Sequence, residues 1–121
     1  MASFRDLVVW QRAFSLCVAV YRATDHLPSH ERYGLSAELR KTARSVVYNI
    51  AEGHQRTSRR EFVRFLDICL GSAAELLTQL LLVAELSYLK EALTLELIQS
   101  LDEVTRMTYR LKHTVASQAN G

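Results

Sequence analysis

Apolar residues recur every three or four positions through most of the chain, in four runs separated by short polar connections. That period is the signature of amphipathic helices. In the first run, Leu7, Trp10, Phe14, Cys17 and Tyr21 share one face, and Ser3 or Asp6 is placed to cap its start. Pro28, within DHLPSHERYG, forbids its continuation. The second run places Leu39, Ala43, Val46 and Ile50 inward, with Ser36 as cap, Glu38 in the positive first turn and Gly53 as the terminating glycine. The third opens on Ser58 and Glu61, the S-x-x-E spacing of a capping box. Its inner face is Phe62, Phe65, Cys69, Ala73, Leu76, Leu80 and Val83, and the GSAA run at Gly71 predicts a close helix contact. Thr94 is placed to cap the fourth, whose stripe is Leu97, Leu101, Val104, Thr108, Leu111 and Val115 before a fraying ASQANG tail. No strand pattern competes. The expectation is an all-α, antiparallel up-down-up-down four-helix bundle, one domain over residues 1–121, with helices at about 6–24, 36–54, 58–87 and 94–115.

These stripes do not absorb all the apolar residues. With Leu76, Leu80 and Val83 inward, Leu77, Leu81 and Leu82 point elsewhere. The first helix has a similar excess in Val8, Val9, Leu16 and Val20. A helix apolar over more than one face is either central or part of a subunit contact, and a four-helix bundle has no central helix. Self-association through Leu77, Leu81, Leu82, Val9, Leu16 and Val20 is therefore expected.

Composition agrees with a globular core: 49% of the 121 residues are hydrophobic and 23% charged. The longest uncharged apolar run falls short of a membrane span, and MASFRDL lacks a signal-peptide core, so a cytoplasmic protein without a membrane partner is expected. Cys17 and Cys69 fall inside apolar helical patterns and read as buried free thiols.

A net charge of +2 conceals a polarised chain. Residues 1–64 carry +5, residues 65–105 carry −6 and residues 106–121 carry +3. Antiparallel folding brings residues 1–12, 49–66 and 106–121 to one end, where nine basic groups meet Asp6, Glu52 and Glu61, for a local charge of +6. Twelve of the 15 basic residues are arginine, whose guanidinium fork suits phosphate. The segment NIAEGHQRTSRREF, from Asn49 to Phe62, lies at the centre of that end. Candidate anion-binding residues are Arg56, Ser58, Arg59, Arg60, Arg64, Arg5, Arg12, Arg110 and Lys112, with Arg106 beside them. Asn49 and Glu52 are expected to be structural, Asn49 near Trp10 or Gln11 and Glu52 level with Arg64; Arg40 lies level with Glu75 in the same way.

Other chemistry is not foreseen. His26 and His30 flank Pro28, no metal-ligand spacing recurs, no phosphate-cradling glycine loop is present, and no nucleophile has an orienting base. Neither metal, cofactor nor catalysis is expected.

Three blocks carry a resemblance: FRDLVVWQRA, LPSHERYGLSAELRKTARSVVYNIAEG and RREFVRFLDICLGSAAELLTQL. In that order they resemble the bacterial four-helix-bundle family named for proteins encoded within intervening sequences of 23S ribosomal RNA genes. That family also includes the accessory variability protein of diversity-generating retroelements. The resemblance spans about residues 4–112. It implies a bundle that assembles as a ring-like homopentamer and carries no catalytic residue. The retroelement member is strongly basic, binds nucleic acid and contacts a reverse transcriptase; this chain differs from it in its +2 charge and its acidic stretch from Asp67 to Glu103, and, where family members often carry an acidic residue in E-L-E-T-Q-L, it has Leu77 in ELLTQL. The expected function is nucleic-acid binding, RNA or DNA, by an oligomer of this chain through its arginine-rich end. The alternative is a protein-interaction scaffold.

Overall fold

The computed structural model describes residues 3–119. Four helices follow in order: α1 (Val8–Thr24), α2 (Leu35–His54), α3 (Arg59–Glu85) and α4 (Glu91–Ala119), with 3-10 turns at Phe4–Asp6 and Ser29–Glu31. Each packs against two neighbours, α1 on α2 and α4, α3 on α2 and α4, which makes a four-sided antiparallel bundle. The terminal Asn120 and Gly121 of the expected frayed tail lie outside the described residues, and α4 runs on to Ala119.

Helix ends follow local chemistry, with several differences from the sequence reading. Ser3 and Asp6 form a reciprocal box around the first 3-10 turn, and α1 itself starts at Val8 without a side-chain cap. Ser36 is buried in the first turn of α2; the loop residue Glu31 caps that helix, its Oε1 accepting from the Leu35 N–H at 3.2 Å. Ser58 caps α3 as expected, accepting from the Glu61 N–H at 3.0 Å, but the return half is missing because Glu61 turns to Arg64. Thr94 lies within α4, buried, its hydroxyl donating to the Lys90 carbonyl, so the helix begins three residues early. At the end of α3, Ser87 adopts φ 56°, and the Tyr88 and Ser87 N–H groups donate to the Val83 and Ala84 carbonyls. This is the Schellman pattern, with serine where glycine is favoured.

Glu31 also accepts from the Tyr88 hydroxyl at 2.9 Å, tying the α1–α2 loop to the α3–α4 loop. The Leu35 N–H, then the Tyr88 hydroxyl, hold its carboxyl below the ordinary 4.5. A carboxylate whose folded pKa is depressed stabilises fully above its unfolded pKa and loses that contribution as pH falls through the folded value. The melting-temperature gap between wild type and Glu31→Ala is therefore expected to narrow between about pH 6 and about pH 3. A gap that stays constant across thermal melts in that range would contradict the assignment.

The core is formed by the stripes read on α2, α3 and α4; of the one read on α1 only Cys17 is buried, while Leu7, Trp10 and Tyr21 pack at its margin. Leu39, Ala43, Val46 and Ile50 of α2 are buried, as are Phe65, Cys69, Ala73, Leu76, Leu80 and Val83 of α3. Leu97, Leu101, Val104, Thr108 and Val115 of α4 join them. On α1 the buried set is Val9, Ala13, Leu16, Cys17, Val20 and Ala23, while Phe14 is 49% exposed and Trp10 and Tyr21 are half-buried. Val9, Leu16 and Val20, expected at a subunit contact, thus belong to the chain's own core. The 9-13-16-20-23 row is as regular as the 7-10-14-17-21 row, and its small Ala13 and Ala23 let α1 sit close to its neighbours.

By length and composition α3 is apolar enough to cross a membrane. Only one side of it is used in the core; Ile68, Leu77, Leu81, Leu82 and Leu86 remain exposed. A Cβ added at Gly71 would point into open space, so the close contact predicted for GSAA belongs to Ser72, whose hydroxyl lies 2.7 Å from that of Ser45, and to buried Ala73.

Candidate functional site

The α2–α3 turn, which carries Arg56, Arg59 and Arg60, lies beside the finish of α4. Arg59 donates to the Gln118 carbonyl at 3.1 Å across that junction. Most of the cluster is engaged in ion pairs. Arg56 pairs with Glu52 at 2.9 Å and Arg64 with Glu61 at 2.8 Å, so Glu52 does not reach Arg64 as expected. Both guanidinium groups lie 4.7 Å from the centre of the Phe65 ring, which fixes their stems. Arg12 pairs with Glu103 at 3.1 Å, Arg106 with Asp102 at 2.6 Å and Lys112 with Asp67 at 2.6 Å.

Those last three acids lie just beyond the segments counted from sequence. With Asp67, Asp102 and Glu103 included, nine basic groups face six acidic ones, and the local charge falls from +6 to +3. The Arg64 bond holds the Glu61 carboxyl below its usual range, and Asp67 raises the Lys112 ammonium above its own, so both pairs are charged at neutral pH. The paired side chains are nonetheless substantially solvent-exposed, and bridges of that kind contribute little to stability. Among the described residues Arg5, Arg59, Arg60 and Arg110 have no carboxylate within ion-pair distance. Arg59 and Arg60 stand in the first turn of α3, beside the Ser58 cap, where unpaired backbone N–H groups favour an anion.

The structural residues differ in detail from expectation. Asn49 Nδ2 donates to the Ser45 carbonyl at 2.7 Å and lies 3.1 Å from the Ser45 hydroxyl, within its own helix, instead of meeting Trp10 or Gln11. Gln11 reaches the Arg5 carbonyl at 2.8 Å. Arg40 pairs with Asp25 at 3.2 Å, bonds the Thr24 hydroxyl and lies over the Tyr21 ring, so it does not reach Glu75. Cys17 and Cys69 are free and buried, and burial pushes the Cys69 thiol up to about 12, which removes it as a nucleophile at neutral pH. Among the described residues no group of three or more His, Cys, Asp or Glu is placed to hold a metal ion.

A feature not foreseen is an apolar groove of about 630 Å³ along the α1–α2 seam, walled by Phe4, Trp10, Phe14, Tyr21 and Tyr48. Trp10 stacks on Phe14 with centroids 5.1 Å apart, and Phe4 meets Trp10 edge-on at 5.2 Å. Its charged lining consists of Arg22 and Arg44, the latter donating to the Tyr21 hydroxyl at 2.6 Å. The sequence signal was present: a second complete apolar row on α1 left these aromatics free to face outward.

A family model described as 23S rRNA-intervening sequence protein matches residues 5–110. A crystal structure of a protein of unknown function from the S23 ribosomal protein family of Bacteroides thetaiotaomicron superposes with a TM-score of 0.82. The two are 20% identical, and the likeness covers 88% of this chain and 96% of that one, which supports a shared fold. No curated protein matches the chain.

Proposed function

The chain belongs to the 23S rRNA-intervening sequence protein family, and from that premise we propose that it is a non-enzymatic, self-associating bundle that binds structured RNA through its arginine-bearing end. The observation that carries this reading is that Arg59 and Arg60, in the first turn of α3, and Arg5 and Arg110 each lack a carboxylate partner among the described residues. The exposed ion pairs around them are weak enough to exchange for phosphate. Self-association, as the ring-like pentamer implied by the family resemblance, is supported by the exposed leucines of α3 and the aromatic groove. Neither the family description nor that of the structural neighbour names an enzymatic activity.

Four phosphate contacts on a duplex give a slope of about −3.6 in log K against log salt. Fluorescence anisotropy with 23S rRNA fragments, and with duplex DNA for comparison, is expected to show that slope. Replacing Arg5, Arg59, Arg60 and Arg110 together with alanine should flatten it and weaken low-salt binding by at least about tenfold. Absence of binding at low salt, or an unchanged slope in the variant, would refute the proposal. A second reading, a protein-interaction scaffold, is favoured by the six acids that offset the arginine cluster. It predicts partner capture that survives nuclease treatment and no RNA binding.

A further inference from the structure

We infer that the α1–α2 groove binds a linear amphiphilic anion, a single-chain acyl carboxylate, with its head at Tyr21 and its chain running toward Trp10. This goes beyond the RNA reading and requires neither the arginine end nor an oligomer. It starts from the order of side chains along the groove. Trp10 and Arg22 are twelve positions apart on α1, or about 18 Å at 1.5 Å per residue. The Trp10 end is apolar: Phe4 meets the indole edge-on, Phe14 stacks on it, and Val18 and Val47 continue the wall. The charged lining is confined to the other end, where Arg44 donates to the Tyr21 hydroxyl at 2.6 Å and Arg22 is the next residue along α1.

The cations at that end lack counterions. Arg40 lies 5.0 Å from the centre of the Tyr21 ring and pairs with Asp25 at 3.2 Å. Arg22 and the half-buried Arg44 have no carboxylate within ion-pair distance among the described residues. Of the three arginines around Tyr21, one is therefore neutralised and two are not. The Tyr21 hydroxyl accepts from Arg44, and its own proton has no acceptor among the described residues. A carboxylate placed there takes charge-assisted bonds from Arg44 and Arg22 and the proton of Tyr21, and offsets the partial desolvation of Arg44. The rest of the site selects the chain. A groove of about 630 Å³ is of the size that holds small molecules. Aromatic and branched walls cover hydrocarbon, which asks for no hydrogen bond. A nucleobase would bring polar edges against a wall with no amide, no carboxylate and no hydroxyl beyond the two tyrosines, and would lose their hydration. Assembly through the exposed leucines of α3 leaves the groove open.

Trp10 is the sole tryptophan of the chain, so intrinsic fluorescence reports on the groove directly. Titration with decanoate below its micelle concentration is expected to shift the emission saturably. Acetate, which has the head alone, and decyltrimethylammonium, which has the chain with the opposite charge, are expected to leave it unchanged. Arg44→Gln, confirmed as helical by circular dichroism, should weaken decanoate at least about tenfold, the loss of one charge-assisted hydrogen bond. Arg22→Gln, at an exposed position, supplies the same comparison should Arg44→Gln lose helicity. Phe14→Asp sets a carboxylate in the path of the chain and should abolish the shift. No response to decanoate overturns the inference, and a groove closed by a neighbouring copy gives that result. An equal response to decyltrimethylammonium, or unchanged affinity in the arginine variants, also overturns it, leaving only apolar adsorption. A response to oligouridylate or to phosphatidylglycerol vesicles, with none to decanoate, overturns it in favour of nucleobases or membrane lipid.

Discussion

Gly53→Ala is expected to destabilise the bundle by about 2 kcal/mol, although alanine is the better helix former. From sequence Gly53 is a candidate C-terminal glycine in a helix expected to reach about residue 54, and α2 does end at His54, with Gly53 a buried helical residue without positive φ. Its function is clearance. An added Cβ would stand 2.8 Å from Phe62 Cδ1, 2.8 Å from Phe65 Cβ and 3.3 Å from the Phe62 carbonyl oxygen. The Phe62 ring can turn aside, but Phe65 Cβ is bonded to the α3 backbone and moves only if the helix moves. Overpacking of this kind costs about 1–3 kcal/mol, and here the upper part of the range applies because two helices must separate. The helix propensity gained on replacing glycine returns about 0.8–1 kcal/mol. Urea denaturation of the variant measures the difference, and a variant as stable as wild type would show that α3 yields more easily than the contact distances imply.

Leu80→Ala and Leu81→Ala, adjacent and chemically identical changes, should separate the core from the exposed leucines of α3. Leu80 is 1% exposed and Leu81 is 53% exposed. Truncating a fully buried leucine removes its transfer energy and leaves a cavity, a loss of about 2–5 kcal/mol. Truncating an exposed one changes chain stability by no more than about 0.5 kcal/mol. Denaturation at dilution low enough to hold the chain monomeric should show a large loss for Leu80→Ala and almost none for Leu81→Ala. At higher concentration Leu81→Ala should weaken assembly, since a chain whose folded form self-associates gains apparent stability from its partners. Equal losses in the dilute regime would mean that α3 is buried on both sides by this chain alone.

The end of the bundle that holds NIAEGHQRTSRREF illustrates how far a linear reading reaches. The helix end, the turn and the Ser58 cap are local events, set by side chains within a few positions of one another, and each was legible. Antiparallel order is what leads one to expect distant arginines at that end. It does not fix their ion pairs. Arg56 took Glu52 one turn away, Arg64 took Glu61, and Arg12 and Lys112 reached acids on neighbouring helices. Which carboxylate a long side chain finds depends on helix rotation and offset by a few ångströms, quantities that level counting along antiparallel helices does not resolve.

The sequence by itself determined four helices, their order, an antiparallel bundle and the inward faces of α2, α3 and α4. On α2 and α4 that face is one continuous apolar row against a more polar background, and on α3 the row from Phe65 to Val83 runs nearly the length of the helix while the extra leucines cluster in its second half. It also determined that apolar surface would remain unused, because the leucines of α3 outnumber the positions a four-helix core can take. Tertiary structure alone decided the rotation of α1. That helix has two equally regular apolar rows, and periodicity is silent between them. Packing chose Val9, Ala13, Leu16 and Val20 because small and branched side chains let four helices approach closely. The same choice turned Trp10, Phe14 and Tyr21 toward the α1–α2 groove.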